Sequence, residues 1–144
     1  MGDRSSPEAR AFLLHHRVGH LATADRSGVP HVVPVCYVLD ADALYFVVDA
    51  KHKRHAGTAL KRMRNIAENP AVALVVDDYG EDWTALAYVL VRGHAAVVAD
   101  GDERARVLAC LRDKYPQYRA MALEGPAHPV VRVTPEHVHL WRAV

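Results

Sequence analysis

Six positive charges, Lys51, Lys53, Arg54, Lys61, Arg62 and Arg64, fall in a window that contains no acid. The whole chain nets only +1, so everything outside this window is acidic on balance. A basic run that follows β-type sequence and leads into a helix is suited to hold an anion, a phosphate above all, because side-chain charge and free helix N–H groups then act together. A solvated helix face is the other reading open to such a run. Nucleic-acid binding would need aromatic side chains among the charges, and the run has none.

Other chemistry is thinly represented. There is no G-x-S-x-G, no paired carboxylates in a rigid context, no P-loop and no Rossmann glycine fingerprint. An enzyme built this way would leave the hard chemistry to a bound cofactor and supply an anion clamp, an apolar slot and orientation. The two cysteines, Cys36 and Cys110, sit in apolar surroundings with no C-x-x-C spacing and read as buried free thiols. Ten histidines invite a metal or haem hypothesis. His137 and His139 share one strand face, but no neighbouring carboxylate or cysteine completes a site, so no metal ligands are assigned.

The elements that must position these groups follow from pattern. Ser6-Pro7-Glu8 predicts an N-cap and a helix running to about His16. Val18–Ala24, Val29–Leu39 and Leu44–Val48, joined by turns at Asp25–Gly28 and Asp40–Asp42, predict a three-stranded antiparallel meander. In the helix predicted over Thr58–Asn69, Leu60, Met63, Ile66 and Ala67 share one face and Arg62, Asn65 and Asn69 another, and Pro70 ends it. Strands are expected at Ala71–Asp77 and Leu86–Val98, where Gly93 marks a bend or bulge. A helix is expected over Asp102–Lys114, then an irregular stretch from Tyr115 to His128. Val130–Val133 and Val138–Trp141 are expected as two final strands interrupted at Thr134-Pro135. The 144 residues, 51% of them apolar, suit a single α+β domain over 1–144 dominated by an antiparallel barrel. No apolar leader and no stretch near 20 apolar residues is present, so a cytoplasmic protein without membrane contact is expected.

The succession Val18-Gly19-His20-Leu21-Ala22-Thr23-Ala24, Gly28-Val29-Pro30-His31-Val32-Val33-Pro34-Val35, Leu44-Tyr45-Phe46 and Arg62-x-x-Asn65-Ile66-x-x-Asn69-Pro70-x-Val72-x-Leu74 resembles the pyridoxamine 5′-phosphate oxidase-like split β-barrel superfamily. Within it the chain resembles the small flavin and deazaflavin oxidoreductases that depend on F420. The resemblance implies a six-stranded antiparallel split β-barrel with a few short helices, a homodimer, and two cofactor sites at the subunit interface. It implies that Lys51, Lys53, Arg54 and Arg62 hold the cofactor phosphate, with Arg62 where relatives often carry a lysine. Pro34, Val35 and Cys36 match the segment beside the cofactor ring, and Trp83 either walls the pocket from the partner subunit or merely covers surface. The implied reaction is hydride transfer between reduced F420 and a small electron-poor substrate. FMN is the alternative cofactor, and a non-catalytic flavin-, haem- or tetrapyrrole-binding barrel the alternative function. No side chain is assigned a catalytic role, although His20, His31 and Tyr37 are the candidates for proton donation.

Overall fold

The computed structural model describes residues 6–49 and 60–144. The elements are α1 (Pro7–His15), β1 (Gly19–Ala24), β2 (Pro30–Val35), β3 (Val38–Asp40), β4 (Ala43–Val47), α2 (Lys61–Glu68), β5 (Ala71–Asp78), β6 (Ala87–Val97), α3 (Asp102–Lys114) and β7 (Val130–Arg142). Short 3₁₀ turns occupy Trp83–Ala85 and Pro116–Ala120. The Ser6 hydroxyl accepts the Ala9 N–H at 3.3 Å and Pro7 opens the helix, which is the N-cap the sequence predicts.

All strand pairs are antiparallel, and the sheet order is β2-β1-β5-β6-β7-β4-β3. The first and last strands in that order are joined by only Cys36 and Tyr37. Two linking residues bridge at most about 11 Å, whereas the outer strands of a flat seven-stranded sheet stand about 29 Å apart. The sheet therefore curls until its edges meet at Cys36, and the fold is α+β with an antiparallel split barrel. Val35 of β2, Leu21 of β1, Leu74 of β5, Val91 of β6, Val133 of β7 and Phe46 of β4 accordingly share one buried core. A second cluster, Val107, Leu108, Leu111, Tyr115, Tyr118 and Leu123, packs α3 and the chain after it onto Val38, Tyr45 and Val47.

Four expectations need correction. The sheet has seven strands rather than six, because the run Val29–Leu39 breaks at Cys36-Tyr37 into β2 and the three-residue β3. The predicted meander fails for the same reason: β2 pairs with β1 and β3 with β4, at opposite edges of the sheet. The last two strands are one continuous β7. Its Pro135 lies opposite Gly93, where the register shifts. A Cβ on Gly93 would stand 2.0 Å from the Thr134 carbonyl oxygen, so the bulge the sequence suggested requires glycine. Finally, Asn65 leaves the polar helix face assigned to it. It is fully buried and its amide donates to Thr23 Oγ1 at 3.0 Å, while Ala67 is exposed.

Candidate functional site

The corner where the barrel closes carries three of the predicted ring-side residues, and they face different ways. Pro34 is exposed on the outer sheet face, in register with His20 on β1. Val35 points into the core. Cys36 and Cys110 are both half-buried rather than buried, packed against the cluster beneath α3, and both are free thiols.

Tyrosines build the surroundings of Cys36. Tyr37 N–H donates to the Tyr115 hydroxyl oxygen at 2.9 Å, and that hydroxyl lies 2.8 Å from the carbonyls of Arg17 and Tyr37. The Tyr37 hydroxyl is spent on the Leu13 carbonyl at 2.6 Å. Burial pushes Tyr37 above the usual phenol range and Tyr115 up to about 12. Tyr37 is thereby removed from the proton-donor candidates. His20 lies exposed on the outer face of β1, and His31 is half-buried opposite Thr23 with its Nδ1 buried and unbonded.

Two clusters of charge flank this corner. On one side, the Tyr118 hydroxyl donates to the buried Asp49 carboxylate at 2.6 Å. Burial first, then this bond, raises Tyr118 well above its ordinary value. Arg62, at the start of α2, is half-buried within electrostatic reach of both groups; desolvation lowers its pKa and Asp49 partly offsets this. On the other side, Lys114 at the end of α3 places Nζ 4.1 Å from the Tyr37 ring centre and 5.4 Å from that of Tyr115. The Arg17 guanidinium lies 5.0 Å from the Tyr115 ring centre and donates to the Lys114 carbonyl. Burial, then repulsion from Arg17, lowers Lys114 to about 8, and Cys36 opposes the shift.

Of the residues picked from sequence, Cys36 and Arg62 thus fall along one polar seam that includes Tyr115, Tyr118 and Asp49. Lys51, Lys53 and Arg54 lie outside the described residues. Trp83 is 76% exposed, in the turn before β6, and makes no ring contact with the seam. Sequence reasoning missed Arg17, Asp49, Lys114, Tyr115 and Tyr118. The only local hint was a lysine and a tyrosine at the end of the helix predicted over Asp102–Lys114. No group of three or more metal-ligating side chains occurs among the described residues.

Residues 5–142 match the pyridoxamine 5′-phosphate oxidase family. The chain belongs to that family. Its curated relatives include the 5a,11a-dehydrotetracycline/5a,11a-dehydrooxytetracycline reductase of Streptomyces rimosus, 30% identical over 96 residues. That match takes in 66% of this chain and 65% of the reductase, so the chain spans less than two thirds of the relative's length. Solved structures with this fold include a heme binding protein from Mycobacterium smegmatis, with TM-score 0.78 and 24% identity over 94% of this chain and 53% of that one. A FAD-binding protein from Mesorhizobium loti aligns with TM-score 0.70 and 25% identity over 94% of this chain and 91% of that one. The relative is thus described as a reductase, and the two structural neighbours only as binding a group. No helix among the described residues is long and apolar enough to cross a membrane.

Proposed function

We propose that this protein is an oxidoreductase that uses a bound F420, with FMN as the alternative cofactor, to reduce a small electron-poor organic molecule. The observation that carries this reading is the family match over nearly the whole chain, joined to a polar seam with cationic groups at both ends. The donor set fits an anionic tricyclic cofactor: half-buried Arg62 for its phosphate together with Lys51, Lys53 and Arg54, and the Pro34–Cys36 segment beside its ring. Such a cofactor supplies hydride transfer, which no side chain of the seam can perform. Asp49 and Tyr118 then orient Arg62, because a buried carboxylate held by a phenol gives the guanidinium a fixed partner. The Tyr115 hydroxyl fixes the backbone that follows Cys36 through the N–H and carbonyl of Tyr37, and ties it to the carbonyl of Arg17.

The outer sheet face supports a second copy as partner. Pro34, His20, Val75, Leu90 and His139 form one row across five strands, and Val32, Ala22, Ala73, Arg92 and His137 the next. Val32 is 64% exposed there, an apolar surface of the kind that a subunit interface covers.

Separate fluorescence titrations with F420 and FMN test the cofactor. Charge reversal at Lys53 or Arg62 is expected to weaken binding about ten- to a hundredfold, the cost of losing a charge-assisted contact. Deuterium transfer from C5-labelled F420 to the product is expected in turnover. Unchanged affinity in both variants removes the basic run from the site. A monomer by light scattering at micromolar concentration removes the shared interface.

A further inference from the structure

Helix α2 carries Arg62, and its eight residues are too few to hold a helix in place by backbone bonds alone. Leu60 before it offers no side-chain cap, and its apolar anchors, Met63 and Ile66, bury into the barrel core without fixing a direction. Two tethers reach the turn between β1 and β2: Lys61 Nζ lies 3.8 Å from Asp25, and Glu68 accepts the Arg26 N–H at 3.0 Å. Both lie near solvent, where water and salt weaken them. The bond from Asn65 to Thr23 differs. Both residues are buried, the distance is 3.0 Å, and Thr23 is held in the β1–β2 ladder opposite His31. Asn65 Oδ1 is buried with no hydrogen-bond partner, so the amide costs stability that an apolar side chain of its size would not. Stability therefore does not account for it; what the amide adds is direction. Arg62 sits three residues before it, a neighbour on the helix surface, half-buried and within electrostatic reach of Asp49 and Tyr118.

We propose that Asn65 is a positioning residue for the phosphate clamp: its bond to Thr23 sets the roll of α2 on the sheet, and thereby where the Arg62 guanidinium stands. Residues at i and i+3 turn together when a helix rolls. A roll of about 20° displaces a side-chain end about 6 Å from the axis by about 2 Å. That is more than a charge-assisted hydrogen bond tolerates. A leucine at this position would fill the same space and accept a range of rolls, because apolar burial has no direction. The inference rests on the reading that Arg62 holds a cofactor phosphate.

The probes are two pairs that differ by the phosphate tail: FMN with riboflavin, and F420 with the deazaflavin that lacks the tail. Fluorescence titration gives the preference of the protein for the phosphate-bearing member of each pair. A general loosening of the fold weakens both members alike and leaves that ratio unchanged. Arg62→Gln is expected to reduce the preference about tenfold. Asn65→Leu and Thr23→Val are each expected to reduce it severalfold, no further when combined, and not at all in a protein that already carries Arg62→Gln. Thr23→Ser keeps the hydroxyl and is expected to retain the preference. Thr23→Val keeps the shape of the side chain and carries the test if Asn65→Leu fails to fold. An unaltered preference in Thr23→Val, or a loss that adds to that of Arg62→Gln, overturns the inference and leaves the clamp standing. An unaltered preference in Arg62→Gln overturns the clamp reading, and the inference with it.

Discussion

The barrel interior and the seam beneath α3 are built from opposite materials. The interior, from Leu21 through Phe46, Val76, Val89, Val91 and Val133, is apolar and closed. The seam buries Tyr115, Tyr118 and Asp49 and holds its parts by hydrogen bonds that join residues 69 to 98 positions apart in sequence. Non-directional burial tolerates small shifts of its members, whereas a phenol bonded to a carboxylate at 2.6 Å does not. The interior therefore defines where the strands run, and the seam defines where the chemically capable side chains stand.

The sharpest way to break that contrast is to weaken each region alone. Leu21→Ala removes a fully buried side chain from the interior and is expected to cost about 3 kcal/mol in urea unfolding. Because β1 stays paired on both sides, the alkylation rate of Cys36, read by mass spectrometry, should not change in the folded variant. A large change there would mean that the interior and the corner are coupled after all.

Tyr115→Phe makes the opposite test. It leaves the Tyr37 N–H without its acceptor in a buried place, which is expected to cost about 2 kcal/mol. The loss is smaller than that of Leu21→Ala, yet Cys36 alkylation should quicken severalfold because the corner loses the bonds that fix it. A variant with unaltered Cys36 reactivity would show that the backbone holds the corner without Tyr115.

The same contrast explains what could be read from the chain. Strands β5 and β6 and helix α3 were legible because apolar residues repeat at the period of the element: Val72, Leu74 and Val76 on β5, and Leu108 and Leu111 on α3, all point inward. The break inside Val29–Leu39 was not, since the run is β-branched throughout and the corner at Cys36-Tyr37 carries neither glycine nor proline. Pro135 read as an interruption, although it sits at a bulge, where a missing N–H costs little. Arg62 and Cys36, the two picks that fall on the seam, came from motif resemblance. Lys114, Tyr115 and Tyr118 were not, because their partners Arg17, Tyr37 and Asp49 lie on distant elements and no local spacing connects them. A charge run announces itself in sequence; whether each charge is matched emerges only from the packing.

The smallest expected effect concerns the tether of the seam rather than its core. Arg112 donates to Glu124 from Nη1 at 2.7 Å and from Nη2 at 3.2 Å. The same guanidinium reaches the carbonyls of Tyr118 and Met121, so the ion pair fastens the loop that carries Tyr118. The bonds from Arg112 first, then backbone N–H groups, hold the Glu124 carboxyl down to about 2 from its ordinary 4.5. A carboxylate depressed in the folded state adds stability that is complete above about pH 4.5 and disappears as pH falls toward 2, because protonation then favours the unfolded chain. Glu124 is well exposed, so the contribution is screened by solvent and salt. Glu124→Gln is therefore expected to leave the thermal midpoint at pH 7 nearly unchanged and to flatten part of its decline between pH 4.5 and 2. Superimposable acid profiles for the two proteins would show that the loop carrying Tyr118 is held by the carbonyl contacts of Arg112 alone.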